Sequence, residues 1–270
     1  MMNTDFNTLL QAQWQQGLHV KWAGKTCLYY NSTDSTNLRG KELAEQESCH
    51  GVLIAAEEQS AGRGRLGRVW QSPKGTSISM SLILKPDFQP QKASMLTLVA
   101  AVALRKAIYR TTGLETVIKW PNDIVYQGKK LCGILTEMSA VPGCIRYVIL
   151  GMGINANIPA FPEELPHATS LLLELGHPVD RMKLMQDVME TFEGYYDCFL
   201  QTEDLSLMKK EYEAFQAGRN QQVQVLEREP YLGTCMGISE EGALLVKDET
   251  GCIRQVQSGE VSVRGIYGYI

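Results

Sequence analysis

The feature that most constrains the fold is a glycine pattern placed directly after an apolar run. The segment AGRGRLGRVW (61–70) carries three glycines in the spacing Gly-x-Gly-x-x-Gly and follows VLIAA (52–56). In dinucleotide-binding folds that spacing opens a helix whose N-terminus is directed at a pyrophosphate. Here Pro73 and Gly75 would break such a helix, and the strand-like run TSISMSLIL follows at once. The pattern therefore predicts a strand–loop–strand connection and argues against a Rossmann crossover.

Three arginines, Arg63, Arg65 and Arg68, lie among these glycines, and we call residues 61–70 the clamp loop. Guanidinium groups stay charged and offer paired donors, so arginines on a glycine-rich loop favour a mobile clamp for an anionic ligand. The alternative is an exposed basic loop that binds no ligand. The choice between them depends on the rest of the sequence.

Composition narrows the class of protein. The 270 residues, 44% of them hydrophobic, suffice for one large core and a small second domain. A net charge of −4 provides no general positive field for nucleic acid. The seven cysteines lack the spacing of a metal site, so buried or incidental thiols are expected. Because the chain shows neither a signal-like start nor a long apolar run, a cytoplasmic location without membrane contact is expected.

Hydrophobic periodicity predicts helices and strands around one sheet. Helices are predicted from Asp34 or Ser35 to about Glu47, from Lys92 to Thr112 and from Asp180 to about Leu200. Strands are predicted at 52–56, 77–84, 115–119, 131–137 and 145–151. In the run at 77–84, apolar residues alternate with three serines, a pattern that predicts a half-buried strand.

The pattern changes after Ala217. Short β-rich pieces separated by glycines and charged turns follow: QVQVLE, YLGTCMGI, GALLVKD, IRQVQ and VSVRG. Such closely spaced strands favour a small barrel. We therefore expect an α+β protein with two domains. Residues 1–217 would form a mixed central sheet flanked by helices, and residues 218–270 a small C-terminal β-barrel.

Further segments concentrate polar residues where a predicted strand meets a turn. They are KWPND (119–123), GKKLCGILTE (128–137) and GMGINAN (151–157). Rigid scaffolds place reactive groups at such positions. Each also has a structural explanation, since an Asn-Asp pair forms turns after proline, two lysines suit a hairpin edge, and Asn155 could cap a loop.

Taken together, these segments resemble those of one family. The order DSTN (34–37), EQSAGRGRLGRVW, KWPND, KKLCGIL, GMGINAN and GEVSVRG (259–265) resembles the biotin protein ligases, or biotin–[acetyl-CoA-carboxylase] ligases, over residues 28–265. The clamp-loop motif and KWPND at this separation are far more specific than a lone glycine pattern. The resemblance implies a biotin- and ATP-binding catalytic domain similar to class II aminoacyl-tRNA synthetases, followed by an SH3-like barrel.

The resemblance also implies an ATP-dependent, AMP-forming reaction. The carboxylate of biotin attacks the α-phosphate of ATP, and a lysine of a biotin carboxyl carrier domain then attacks the resulting biotinyl-5′-adenylate. Both steps develop negative charge on phosphate, so fixed cations and Mg²⁺ are the expected stabilisers. The implied partners are biotin, ATP and the carrier domain, and a homodimer is left open.

By the same resemblance, the residues implied for biotin are Ser35, Thr36, Asn37, Gln59, Arg63, Gly64, Arg65, Lys130 and Gly133. The first four would line the ureido end, whose carbonyl acceptor and two N–H donors need matched partners. Lys130 would be the foremost catalytic residue, at the carboxylate and the α-phosphate. Arg65 and Asp123 complete the implied catalytic set.

For ATP the resemblance implies Arg68, Trp70, Asn122, Asn155 and Arg264. Arg68 would meet the phosphates, Trp70 would offer a flat apolar wall, and Asn155 would contact the adenine. Asn122 and Asp123 are candidates for positioning Mg²⁺ or the incoming lysine. Glu260 and Arg264 are candidates for ATP or acceptor binding.

Two departures from the family pattern bear on function. Leu66 stands where a bacterial member has a further basic residue, so the clamp loop carries less charge. About 27 residues precede the first strand of the family pattern, too few for the winged helix-turn-helix of dual-function members. Neither specific DNA binding nor repressor activity is therefore expected.

Two other interpretations stay open. A lipoate ligase or octanoyl transferase shares the architecture and also modifies a carrier lysine, although GRGRLGRVW with KWPND favours biotin. A non-enzymatic anion- or nucleic-acid-binding module would use the clamp loop only to hold phosphate. That module would show salt-dependent nucleic-acid affinity and no ATP turnover.

Overall fold

A seven-stranded mixed sheet forms the centre of the larger part of the molecule. The computed structural model describes residues 11–46, 48–70, 73–226, 229–258 and 262–265. The strands are β1 (Cys27–Tyr30), β2 (Leu53–Ala56), β3 (Ile78–Leu84), β4 (Val117–Lys119), β5 (Asp123–Tyr126), β6 (Lys129–Val141) and β7 (Cys144–Ile154). Their order is β1-β2-β3-β7-β6-β5-β4. β1 and β2 are parallel, and the other neighbouring pairs are antiparallel.

Helices cover both faces of this sheet. They are α1 (residues 11–16 of the described chain), α2 (Thr36–Ala44), α3 (Met95–Thr112), α4 (Leu171–Leu175), α5 (Arg181–Thr202) and α6 (Lys209–Ala214). Alternate residues of one strand belong to opposite faces. Ile83 clusters with α2, whereas Leu82 belongs to the core shared with α3 and α5. The mixed sheet flanked by helices that the sequence predicted is confirmed.

The two long helices begin and end near the predicted residues. α3 ends at Gly113, whose φ of 74° is the left-handed conformation that glycine adopts without a steric penalty. α5 begins after Asp180, whose side chain accepts a hydrogen bond from the backbone N–H of Lys183 at 3.0 Å. Both signals were readable from residue type and spacing.

The prediction that β3 is half-buried is wrong. All seven of its residues are buried, because the face that carries Ser79 and Ser81 lies beneath α2 and the clamp loop. The serines alternate with apolar residues, as they would in a strand that has one face in solvent. Ser81 instead lies against polar side chains of α2 and forms hydrogen bonds with Thr36 and Asn37.

Several short elements were not predicted, among them α1, β5, α4 and α6. β5 begins at Asp123, the last residue of the KWPND segment, and has four residues, so it offers too short a pattern to detect. The predicted strands at 131–137 and 145–151 are parts of the longer strands β6 and β7.

The C-terminal part is all β. Its strands are β8 (Gln222–Leu226), β9 (Tyr231–Ile238), β10 (Leu244–Asp248), β11 (Ile253–Val256) and β12 (Ser262–Gly265). They form an antiparallel sheet in the order β11-β10-β9-β8-β12, which confirms the predicted small all-β unit. Among the described helices, none is long and apolar enough to cross a membrane.

Candidate functional site

A cleft lies on the α2 side of the central sheet. Its floor contains three glycines. Gly151 and Gly153 are two residues apart on β7, and Gly133 of β6 is paired with Gly153. A Cβ atom at Gly151 would collide with Asn37 Oδ1, and one at Gly153 would lie 2.5 Å from the indole of Trp70. Each glycine of the GMG motif therefore makes room for one side chain of the cleft.

The start of α2 forms one end of the cleft. The backbone N–H of Thr36 donates to Gln59 Oε1 at 2.8 Å, and the Thr36 hydroxyl contacts the same oxygen at 3.1 Å. These bonds occupy the oxygen of the Gln59 amide, so its nitrogen is directed toward other acceptors. Ser35, Thr36 and Asn37 are all buried, although they are polar. This end of the cleft therefore consists of uncharged donors and acceptors.

Asn37 extends this network to β3 and β6. Its Oδ1 lies 2.6 Å from Ser81 Oγ, and its Nδ2 donates to Glu137 Oε2 at 2.8 Å. Glu137 in turn accepts from Lys41 Nζ at 2.5 Å. Sequence reasoning assigned no role to Ser81 or Glu137. For Ser81 the alternation along β3 was visible, but it was attributed to solvent exposure.

The clamp loop is a small hairpin. Trp70 N donates to Gly62 O at 2.9 Å, and Gly64 N donates to Arg68 O at 2.7 Å. A short 3-10 turn at Arg65–Gly67 closes it, with φ of 72° at Gly67. Between β2 and β3 the described residues contain this 3-10 turn and no α-helix, which confirms the strand–loop–strand interpretation.

The three clamp-loop arginines occupy different environments. Arg63 and Arg68 are exposed, whereas Arg65 is half-buried. Arg65 donates to Asn122 Oδ1 at 2.9 Å and to the backbone carbonyl of Ser258 at 2.6 Å. Burial lowers the pKa of the Arg65 guanidinium, which still remains a cation at neutral pH. Arg65 thus joins the clamp loop, the KWPND turn and the C-terminal part of the chain.

Trp70 lies over the glycine floor. Its ring approaches Gly133 and Gly153, and Lys130 Nζ is 5.8 Å from the ring centre. The indole Nε1 is buried and has no hydrogen-bond partner among the described residues. Buried indole N–H groups usually find an acceptor, so this donor is available to a ligand in the cleft.

Lys130 is held from two sides. Its Nζ lies 2.7 Å from Asp123 Oδ1, and its backbone N–H donates to the carbonyl of His167 at 2.6 Å. The backbone carbonyl of Lys130 accepts from Thr169 N at 2.9 Å. The side chain is one-quarter exposed, so the ammonium group can reach both the cleft and Asp123.

The structure brings most of the predicted site residues together. Those that line the cleft are Ser35, Thr36, Asn37, Gln59, Arg63, Gly64, Arg65, Trp70, Asn122, Lys130 and Gly133. Asp123 lies directly behind Lys130. Arg68 is exposed at the hairpin and is not part of the lining.

The remaining predicted residues lie elsewhere. Asn155 is buried, and its Nδ2 donates to the backbone carbonyl of Thr169 at 2.9 Å, in the segment that holds the Lys130 backbone. Asn155 therefore supports the segment around Lys130, and its side chain does not line the cleft. Arg264 belongs to β12, but its side chain lies outside the described part of the structure, as does Glu260.

Comparisons with known proteins agree with this geometry. A family model described as "Biotin/lipoate A/B protein ligase family" matches residues 29–155, and "Biotin protein ligase C terminal domain" matches residues 219–264. The bifunctional ligase/repressor BirA of Bacillus spizizenii is 39% identical over 260 residues, covering 94% of this chain and 79% of that protein. The chain belongs to the biotin protein ligase family.

Other members of the biotin protein ligase family extend the likeness. The biotin–[acetyl-CoA-carboxylase] ligase of Paracoccus denitrificans is 40% identical over 154 residues, covering 55% of this chain and 63% of that protein. The biotin protein ligase of Aquifex aeolicus, solved with biotin and ATP, has a TM-score of 0.79 at 31% identity. That likeness covers 89% of this chain and 99% of the Aquifex chain. Both regions of this ligase, the central sheet and the C-terminal sheet, therefore have counterparts in the family.

Proposed function

We propose that the chain is an ATP-dependent ligase that activates biotin as biotinyl-5′-adenylate and transfers it to a lysine of a biotin carboxyl carrier domain. One observation carries the proposal. A single cleft is lined by uncharged hydrogen-bonding groups at the start of α2 and by the cationic side chains of Arg63, Arg65 and Lys130. Biotin has the same division, with a neutral ureido ring and a carboxylate tail.

In the proposed first step, a carboxylate oxygen of biotin attacks the α-phosphorus of ATP, and the bond from that phosphorus to pyrophosphate breaks. Lys130 and Arg65 would sit beside the carboxylate and the α-phosphate. Because both are fixed by hydrogen bonds before the reaction, they stabilise the developing charge without reorganising. Asp123 positions the Lys130 ammonium group, and Arg63 and Gly64 close over the biotin tail.

In the second step, the neutral amine of the acceptor lysine attacks the carbonyl carbon of the adenylate, and AMP leaves. The open cleft side near Asn122 is our proposed approach for this amine. For ATP we propose that Trp70 forms an apolar wall, that Arg68 meets the phosphates from the hairpin, and that Arg264 contributes from the C-terminal sheet. Asn155 would act on the adenine end indirectly, through the segment at Thr169 that it holds.

Magnesium is the proposed companion of ATP, but the residues that the structure describes do not offer a ready cage for it. Within the described ranges, no cluster of three or more acidic, histidine or cysteine side chains is placed to hold a metal. Asn122 Oδ1 accepts from Arg65, and Asp123 Oδ1 accepts from Lys130. Since cations already face both of these oxygens, Asn122 and Asp123 do not fit a metal site in this arrangement.

Mass spectrometry of a carrier domain incubated with the protein, biotin and MgATP tests the proposal. A mass gain of one biotinyl group on one lysine is expected. Parallel reactions with lipoate and octanoate should give no gain. Modification by either acid in preference to biotin would replace the proposal with the lipoate-type activity.

Some relatives are named as repressors as well as ligases, but the proposal for this chain does not include repressor activity. The net charge of −4 provides no general attraction for DNA. A gel shift with operator-type DNA at physiological salt tests this. Specific complexes in the nanomolar range typical of such repressors would overturn the expectation.

A further inference from the structure

Glu137 lies on β6 outside the cleft lining, yet it is bonded to a residue within that lining. Its Oε2 accepts from Asn37 Nδ2 at 2.8 Å, and its Oε1 accepts from Lys41 Nζ at 2.5 Å. The side chain is one-quarter exposed. Lys41 and Asn37 both belong to α2, so this carboxylate joins β6 to the helix that forms one end of the cleft.

The hydrogen-bonding capacity of Asn37 shows what the carboxylate does. An ionised carboxylate can only accept, so the group of Asn37 that faces it must be the Nδ2 amide. The same Nδ2 lies 3.4 Å from the carbonyl of Leu135. Both amide protons are therefore directed at acceptors on β6, and the oxygen takes the opposite side of the amide. The oxygen Oδ1 is left against Gly151 of the cleft floor and beside the buried hydroxyl of Ser81 on β3.

Lys41 and Asn37 keep Glu137 in the form that this arrangement requires. Burial by itself raises the pKa of the Glu137 carboxyl, but the hydrogen bonds from Lys41 and Asn37 and the positive charges of Lys41 and Arg63 lower it below its usual value. The group is therefore ionised at neutral pH and cannot donate.

We infer that Glu137 is a positioning residue that fixes the amide of Asn37 with its oxygen toward the cleft, so that Asn37 accepts from a ureido N–H of the substrate. This inference rests on the proposed function and deepens it. Oδ1 has two lone pairs, and Ser81 uses one. The other is left for a donor, which the ureido ring of biotin has and the dithiolane ring of lipoate lacks.

The substitution Glu137→Gln tests the inference with little change of shape. A glutamine side chain donates as well as accepts, so Asn37 can turn its nitrogen toward the cleft. We expect the KM for biotin to rise about tenfold, the loss that a misoriented hydrogen bond of ordinary strength produces. The kcat and the KM for ATP should stay close to those of the wild type. Glu45→Gln, which removes the carboxylate of an exposed ion pair with Arg146, is the matched control and should change none of these values.

A partner exchange separates positioning from general support of the fold. Asn37→Asp alone places two carboxylates face to face and should raise the KM for biotin more than Glu137→Gln does. Combined with Glu137→Gln, the aspartate regains a donor partner and still turns an oxygen to the cleft, so the KM should fall back toward that of the wild type. Failure of this rescue would overturn the inference, as would an unchanged KM for biotin or an equal rise of the KM for ATP in Glu137→Gln.

The proposed function and this inference fail in different ways. A wild-type protein that does not modify a carrier domain with biotin refutes the proposed function. A wild-type protein that does so, together with a Glu137→Gln variant of normal KM for biotin, refutes only the role of Glu137. Thermal unfolding of each variant shows whether it is folded under the assay conditions.

Discussion

Lys130 Nζ lies 2.7 Å from Asp123 Oδ1, across the neighbouring strands β6 and β5. A bulge in their pairing, between Ile124 and Val125, shifts the register close to this pair. Asp123 is nearly buried, so the carboxylate limits where the ammonium group can lie. A catalytic cation is useful only if its position is fixed before the substrate arrives.

Lys130→Ala should slow adenylate formation by about ten- to a hundredfold, because it removes a charge-assisted contact that strengthens in the transition state. Biotin-dependent exchange of pyrophosphate into ATP measures this step. The exposed neighbour Lys129 provides the matched control, and Lys129→Ala should retain normal exchange. Near-normal exchange by Lys130→Ala would refute its catalytic role.

Ligands should protect the clamp loop from trypsin. In the structure Arg63 and Arg68 are exposed and Arg65 is half-buried, so cleavage of the free protein should occur first after Arg63 and Arg68. Biotin should slow this cleavage, and biotin with MgATP should slow it most, because the adenylate adds a phosphate for the loop to bind. Time-resolved mass spectrometry of the fragments follows each site.

Cleavage after the exposed Arg219, in a turn before β8, serves as the internal reference for the trypsin experiment and should not depend on biotin. If biotin leaves the rates at Arg63 and Arg68 unchanged, the loop is not a clamp. A bare basic loop and a rigid turn both predict that outcome.

Glu193 on α5 should be important for stability and not for catalysis. Its buried carboxylate accepts from the backbone N–H groups of Lys21, Trp22 and Ala23 at 2.7 to 3.0 Å. Glu193→Gln weakens these bonds and should lower the free energy of unfolding by about 2 to 4 kcal/mol. Urea unfolding measures the change, and the KM for biotin should not move.

The matched control for Glu193 lies at the end of the same helix. Glu203 forms a partly exposed ion pair with Lys92, so Glu203→Gln should cost less than about 1 kcal/mol. Equal losses in the two variants would show that the turn at 21–23 is not held by the carboxylate of Glu193.

The stabilisation that Asp34 provides at the start of α2 should depend on pH. A hydrogen bond from Arg39 is the main cause that lowers the pKa of Asp34 to about 2. Because the pKa is lower in the folded protein than in the unfolded chain, the stabilisation is complete above about pH 4 and is lost as the pH falls toward 2. The gain is less than about 1 kcal/mol, since solvent screens this partly exposed pair.

Unfolding of wild type and Asp34→Asn in urea, measured between pH 2 and pH 7, tests this dependence. The difference in the free energy of unfolding should be constant at neutral pH and should shrink toward zero near pH 2. A difference that persists unchanged at pH 2 would contradict the assignment.

The elements that could be predicted from sequence are those with local signals. The stripe of α3 and its stop at Gly113, the cap of α5 at Asp180, and the motifs of the cleft all depend on residues close together in the chain. The role of Glu137 could not be predicted, because its partner Asn37 is 100 positions away. The burial of Ser81 was missed for the same reason, since the helix that covers it is brought there only by the fold.

The bond between Arg65 and the carbonyl of Ser258 has a consequence for how the protein is made. The two residues are 193 positions apart. While the chain emerges from the ribosome, the strands that carry Lys130 and the glycine floor can assemble well before residue 258 exists. The arrangement of Arg65 seen here must wait until the C-terminal strands have been synthesised and have docked. A nascent chain can therefore hold a formed cleft while its clamp loop still lacks the contact with the C-terminal strands.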